Sequence, residues 1–347
     1  VASKKPKITE EINDVIELVL EFYPWHEEQK IFLFNLAKQN HLHHAFLLHG
    51  PAYLGKFDFA CAMAGVLLCE STGTKEKAEA CRDCHACHLV RSMTHPDFYV
   101  LRPEKEGKQI LVEEVRQLIS FMSKSSARSG RRLIIIDECQ QMNASAANAL
   151  LKFLEEPGEH VHLFLISSEW NTLLPTIRSR CQKLSFSVPT ESQSFNWLKK
   201  HIDGAIEQSL LEYSGGSPLL ARKFQDQPIY TDRKTILLAL RNLLQGNVGA
   251  ISVANQWSEY SLGLFIEWWH ACLCDVLKLM AQAEIQHLRF QSLYAELEIF
   301  ANLIEEQRLI SFMDEILFMR QQLNRGATFN QPLMLESLLL RWQSLTK

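Results

Sequence analysis

The sequence predicts an α/β core on a parallel sheet covered on both faces, followed by an all-helical C-terminal half. Three observations predict it. Between about residues 45 and 186, short runs that are apolar at every position alternate with helical patterns, as strands buried on both faces require. One of these runs passes straight into a Gly-x-x-x-x-Gly-Lys loop and then a helix. From Pro189 onward the pattern is helical throughout. The 347 residues allow two or three domains, and 47% hydrophobic with 22% charged residues is an ordinary globular composition. A formal net charge of −4 excludes a general polyanion binder, so any contact with nucleic acid would be local or supplied by partners. No apolar run reaches the roughly 18 to 20 residues of a membrane span. The chain reads as cytoplasmic, where its nine cysteines are expected as thiols or metal ligands and not as disulfides.

Taken in order, residues 9–22 carry apolar side chains at helical spacing behind Thr9, a possible N-cap. Tyr23-Pro24-Trp25 breaks that pattern, and a second helix is expected through Gln39. Ala45–His49 reads as a buried strand ending at Gly50-Pro51, and a helix rich in small residues follows Lys56 to about Cys69. A polar, cysteine-rich insert spans 69–88. Phe98–Leu101 is the next strand, and 110–123 an amphipathic helix with Ile110, Val115, Leu118 and Ile119 as its main apolar residues. Leu133–Ile136 before Asp137-Glu138 is the most strongly buried strand, and a helix over 144–155 stops ahead of Pro157. Leu163–Ser167 and Gln182–Phe186 complete the strands.

Gly50-Pro51-Ala52-Tyr53-Leu54-Gly55-Lys56 lies between strand and helix, where glycines let a backbone wrap phosphates and a lysine neutralises them. A hydroxyl should follow the lysine to hold magnesium, and Phe57 offers no oxygen. Losing that ligand removes the main electrostatic stabiliser of phosphoryl transfer, which favours a decayed site. Asp137-Glu138 has the form of a Walker B pair, equally readable as a structural acidic pair at a strand end.

Cys81-x-x-Cys84-x-x-Cys87, with Cys69 twelve positions before the first, suits a tetrahedral structural Zn²⁺ with no open position. His85 and His88 are rival ligands that could replace Cys69. Strand 163–167 ends in polar residues where a γ-phosphate sensor would sit. Arg178 and Arg180 follow, in Leu174-Pro175-Thr176-Ile177-Arg178-Ser179-Arg180-Cys181. Such arginines either form surface ion pairs or reach a neighbour's ATP as an arginine finger.

These residues together resemble the delta-prime subunits of the bacterial DNA polymerase III clamp loader, within the AAA+ superfamily. The resemblance rests also on His43-His44-Ala45-Phe46-Leu47-Leu48, Thr94-His95-Pro96-Asp97, Asn148–Pro157 and Leu335–Trp342. It implies an extension over 1–22, an AAA+ core over 23–187 with its zinc module at 69–88, a helical lid over 188–228 and a helical collar over 229–347. Ser179-Arg180-Cys181 resembles the family's SRC motif, which implies Arg180 as the residue acting in trans. The implied role is a subunit without hydrolysis of its own, in a polymerase holoenzyme, that helps place the sliding clamp on primed DNA. Its implied partners are the gamma/tau and delta subunits and, through the complex, the clamp and DNA; its cofactor is structural Zn²⁺. The gamma/tau sibling shares the cysteine cluster and the SRC motif but carries the hydroxyl after the lysine. It also carries a lid arginine in Gly-Ser-x-Arg, where Gly216-Ser217-Pro218 here leads to Leu219. Retention of Gly50, Gly55, Lys56 and Asp137-Glu138 leaves ATP binding without hydrolysis open, and the alternative role is an active gamma/tau-like DNA-stimulated ATPase. A zinc-dependent DNA-binding protein is disfavoured by the lack of basic excess.

Overall fold

The computed structural model describes residues 18–71, 78–105, 108–123, 126, 130–202, 209–225, 227–324, 327 and 329–346. It forms two compact units, one holding the described residues up to Arg102 together with Ile110–Phe186, the other Pro103–Gln109 with Ser187–Lys347.

The first unit is the expected α/β core. Its five strands are β1 (Ala45–His49), β2 (Phe98–Leu101), β3 (Arg132–Ile136), β4 (Val161–Ser167) and β5 (Gln182–Ser185). They run in the order β2-β3-β4-β1-β5, and every pairing is parallel. The register sets Phe46 beside Phe164 and Leu47 beside Leu165, so like faces align across the sheet. Phe46, Leu48, Leu133, Ile135, Phe164 and Ile166 pack on one side, against Phe59, Ala60 and Met63 of α2 (Lys56–Leu68, after α1 at Glu27–Lys38). Leu47, Ile134, Ile136 and Leu165 pack on the other. There they meet α4 (Val112–Met122), α5 (Ala144–Glu155) and α6 (Pro175–Arg180), while α3 (His85–Arg91) lies on the α2 side. Both faces are therefore covered, which is why the central strands β1, β3 and β4 read as apolar runs, while the edge strand β5 (QKLS) is mostly polar.

The helix after β1 lies on one face and the helix after the adjacent β4 on the other. Such a reversal opens a crevice at the carboxyl ends of the two strands, where ligands of open α/β sheets bind. The Gly-x-x-x-x-Gly-Lys loop, Asp137 and Ser167 all lie at that end of the sheet.

One expectation is corrected. The helix over 9–22 falls partly outside the described residues, but its described end, 18–22, is not helical. Leu18 and Leu20 are buried while Val19 is 65% exposed, a period of two that belongs to extended chain. The Leu18 N–H donates to the Arg91 carbonyl at 3.0 Å, and Leu20 lies against Gly65. This stretch, expected in an extension, is part of the core cluster.

The second unit is helical, apart from an isolated bridge between Ile304 and Thr346. It contains α7 (Glu191–His201), α8 (Ser209–Tyr213), α9 (Pro218–Gln225), α10 (Pro228–Thr231), α11 (Arg233–Leu244) and α12 (Ala250–Gln256). α13 (Leu262–Met280), α14 (Tyr294–Leu303), α15 (Glu306–Asn324) and α16 (Gln331–Gln343) follow. Thr190 caps α7 in a reciprocal box with Gln193, and Asn330 caps α16. Trp269, Trp342 and Phe312 pack within 5.7 Å of one another, and the Trp342 indole N–H donates to the Leu240 carbonyl at 2.9 Å. Trp257, Trp268, Trp269 and Trp342 are all buried and belong to this core. Among the described residues, no helix is long and apolar enough to cross a membrane.

Candidate functional site

The phosphate loop follows β1 without a break. Gly50 has φ +145°, and a Cβ there would lie 2.1 Å from the Phe186 carbonyl oxygen. Gly55 is left-handed at φ +75°, with the Tyr23 ring 2.4 Å from where its Cβ would be. Both glycines are thus required by backbone conformation and by crowding. The loop is also held from outside. Trp25 Nε1 donates to the Leu54 carbonyl at 3.0 Å, and His26 Nε2 donates to the same oxygen at 2.8 Å.

Lys56, 6% exposed, folds back and donates from Nζ to the Gly50 carbonyl at 2.9 Å and the Pro51 carbonyl at 2.6 Å. Burial pushes its ammonium down to about 8, against the attraction of Asp137. Burial raises Asp137 in turn, opposed by the Glu138 N–H and by the charges of Arg102 and Lys56. Phe57 is half-buried against the apolar core, with the Arg102 guanidinium 5.9 Å from its ring centroid. A cation and an aromatic ring therefore stand where a magnesium-holding hydroxyl was sought. At the end of β4, Ser167 is fully buried and its Oγ accepts from the Glu169 N–H at 3.1 Å, so this hydroxyl closes its own turn.

Arg180 ends α6. Its Nη2 meets Glu155 Oε1 at 2.7 Å, and its Nη1 donates to the Thr176 carbonyl at 3.1 Å. The side chains of this pair are 35% and 52% exposed, so the ion pair is screened and worth at most about 1 kcal/mol. Arg178 takes a different place, 5.5 Å from the centre of the Trp170 ring. Leu219, on α9, is half-buried and brings no charge.

The structure brings together the four cysteines that the spacing singled out. The sulfurs of Cys69, Cys81, Cys84 and Cys87 all lie within 4.8 Å of one another. Cys69 is 3.4 Å from Cys81 and 3.8 Å from Cys84, and Cys81 is 3.9 Å from Cys87. A tetrahedron of sulfurs around a metal at about 2.3 Å has edges of roughly 3.8 Å, so the donor set fits such an ion. The Cys84 N–H points at Cys81 Sγ (3.3 Å) and the Cys87 N–H at Cys84 Sγ (3.4 Å), the kind of backbone support that thiolate ligands take. His85 and His88 are exposed on α3 and outside the group.

Sequence reasoning missed the Trp25–His26 hold on the loop, the Arg102 charge beside Asp137, and the Glu155 partner of Arg180. The first had a signal in the break at Tyr23-Pro24-Trp25-His26, a dense aromatic run just ahead of a phosphate loop.

Against known proteins, a family model described as DNA polymerase III, delta subunit matches residues 25–190, and one described as DNA polymerase III, delta subunit, C terminal, matches 228–344. The DNA polymerase III subunit delta' of Pseudomonas aeruginosa is 33% identical over 329 residues, spanning 94% of this chain and 98% of its own length. The chain belongs to the delta-prime family of DNA polymerase III subunits. The delta-prime subunit of Escherichia coli K12 is 28% identical over 93% of this chain and 95% of its own length. A DNA polymerase III subunit gamma from Buchnera aphidicola is 29% identical, over 59% of this chain and 56% of its own length. The delta-prime likeness therefore runs through both units, while the gamma likeness covers little more than half of each chain.

Proposed function

We propose that this delta-prime family chain is a non-hydrolysing subunit of a clamp loader, which completes the ATP site of a neighbouring subunit with Arg180 and helps load the sliding clamp on primed DNA. The observation that carries the first half is the state of the phosphate loop. Phe57 replaces the metal-binding hydroxyl, while Lys56 rests on the loop's own carbonyls. Leu219, in place of a lid arginine, supports the same reading. Gly50, Gly55 and Lys56 keep the shape of a nucleotide site, and the chemistry they retain is neutralisation of phosphate charge, not its transfer.

Arg180 fits the trans role by chemistry and by position. It is a permanently charged fork at a helix end, partly exposed, and held by a screened carboxylate and a backbone carbonyl of its own helix. Cys69, Cys81, Cys84 and Cys87 would hold Zn²⁺, which supplies rigidity to an insert with little apolar core of its own. The proposed arrangement is a core over 23–187, a lid over 188–228 and a collar over 229–347, working with gamma/tau and delta subunits.

The second reading is an active gamma-type ATPase, favoured by the retained Lys56 and Asp137-Glu138. Purified chain with Mg-ATP and primed DNA separates the two. Background turnover equal in wild type and Lys56→Ala supports the proposal, and steady turnover abolished by Lys56→Ala overturns it.

A further inference from the structure

At the amino ends of the central strands, opposite the phosphate loop, lies a cavity of about 380 Å³ lined by Asn40, His44, Arg131, Gly158, His160 and His162, with Leu42 and Val161. The sheet register assembles it. Ala45 pairs with Leu163, which sets His44 beside His162, and Arg132 pairs with Val161, which sets Arg131 beside His160. Three neighbouring strand starts and the turn before β1 thus deliver one guanidinium, three imidazoles and one carboxamide to a single hollow. Two of these residues hold left-handed backbone without being glycine: Asn40 at φ +57° and His160 at φ +58°.

We propose that this cavity binds a small phosphate-type oxyanion. Arg131 donates to Asn40 Oδ1 at 2.9 Å, which fixes the guanidinium and leaves the Asn40 amide N–H₂ as a donor. His162, 7% exposed, directs Nδ1 at the His43 carbonyl at 3.1 Å; a carbonyl only accepts, so the ring proton sits on Nδ1. Its Nε2 becomes a donor when the ring takes a second proton. The His44 ring faces the Leu154 carbonyl of α5, and its buried Nε2 makes no direct hydrogen bond among the described residues. Burial, then Arg131, His160 and His44, hold His162 below the usual histidine range, against the His43 carbonyl. Burial and His43 do the same to His44, against the Leu154 carbonyl of α5. Among the described residues, Arg131, His160 and His43 are the charged and titratable groups that act on the two rings besides the rings themselves. A bound anion would offset their mutual repulsion, so binding takes up protons and tightens as pH falls. The fixed positive charge of Arg131 sets the preference for an anion over a metal cation.

The test follows the histidine ring signals of the full chain by NMR, titrated with inorganic phosphate against chloride of equal ionic strength. The expected result is a saturable shift of His44 and His162, tighter at about pH 6 than at about pH 7.5. Arg131→Gln should weaken it at least about fivefold. His160→Asn, which tolerates the left-handed backbone, should weaken it about threefold and guards against misfolding of the first variant. Lys56→Ala should leave it unchanged, which separates this cavity from the phosphate loop. An AMP arm distinguishes a phosphomonoester ligand, which shifts the same rings, from free phosphate alone; either supports the site. The proposal is overturned by no saturable shift, by equal affinity in both cavity variants, or by rings that answer to Zn²⁺ and not to phosphate.

Discussion

Arg180 and His26 show how single residues here are set by partners far away in sequence. If Arg180 serves a neighbouring site, Arg180→Ala should leave this chain's stability within about 1 kcal/mol, since it removes only a screened ion pair and an exposed hydrogen bond to the Thr176 carbonyl. The ATPase rate of the reconstituted clamp loader should fall by roughly a hundredfold or more; an unchanged rate would remove Arg180 from the role. His26 is fully buried and donates to the Leu54 carbonyl. Burial pushes its imidazole down to about 4, more than that hydrogen bond restores. A histidine lowered on folding is neutral in the native state and takes a proton in the unfolded one as pH falls below about 6.5. Stability is therefore lost between about pH 6.5 and 4, by about 3 kcal/mol at most. Denaturant unfolding at a series of pH values should show that loss in wild type and not in His26→Gln, which keeps a donor for Leu54. Parallel curves would show that His26 does not titrate with folding.

At the scale of elements, the loop after β1 and the cysteine insert are each fixed by one physical demand. In Gly50→Ala, the new methyl meets the Phe186 carbonyl, and a positive φ is forced on alanine. The cost should be about 2–4 kcal/mol, read as a lower denaturant midpoint with unchanged slope; a near-neutral result would mean that the strand–loop junction can shift. For the insert, a zinc chelator should lower the melting midpoint of wild type and leave that of Cys84→Ser, already lowered, where it is. Equal curves for wild type with and without chelator would show that the four sulfurs do not tie the module down through a metal. Elements of this kind were legible because their signal is local. The middles of β1, β3 and β4 (45–48, 133–136 and 163–166) are apolar at every position, and the cysteines announce themselves by spacing. Leu18–Phe22 reads as helix in the sequence because Val15, Ile16, Leu18, Val19 and Leu20 fit a helical stripe as well as an alternating one. Contact with Gly65 and Arg91, invisible in the segment itself, decides for extended chain.

At the scale of the whole molecule, the core and the helical half could be read from periodicity, but the convergence of distant groups could not. The hold of Trp25 and His26 on Leu54 spans 29 and 28 positions, and that of Arg180 on Glu155 spans 25. The histidine hollow needs the parallel register of three strands before Arg131 and His44 become neighbours. If this subunit contributes no hydrolysis, Lys56→Ala introduced into the reconstituted clamp loader should leave ATP turnover and clamp loading within about twofold of wild type, unlike Arg180→Ala. A large loss from Lys56→Ala would mean that this chain's own loop takes part in the cycle.

The Glu155–Arg180 pair has a consequence for assembly. An arginine carries about 2 kcal/mol of rotamer entropy, which an untethered side chain gives up on reaching its target. Here Glu155 and the Thr176 carbonyl already restrict the guanidinium in the isolated chain, so part of that ordering is complete before a neighbour arrives. A polyphosphate carries several charges against the single charge of the carboxylate and would draw the guanidinium away. If Arg180 serves a neighbour's site, Glu155 would act as a parking place, lowering the entropic barrier to transfer while holding the arginine too weakly to keep it.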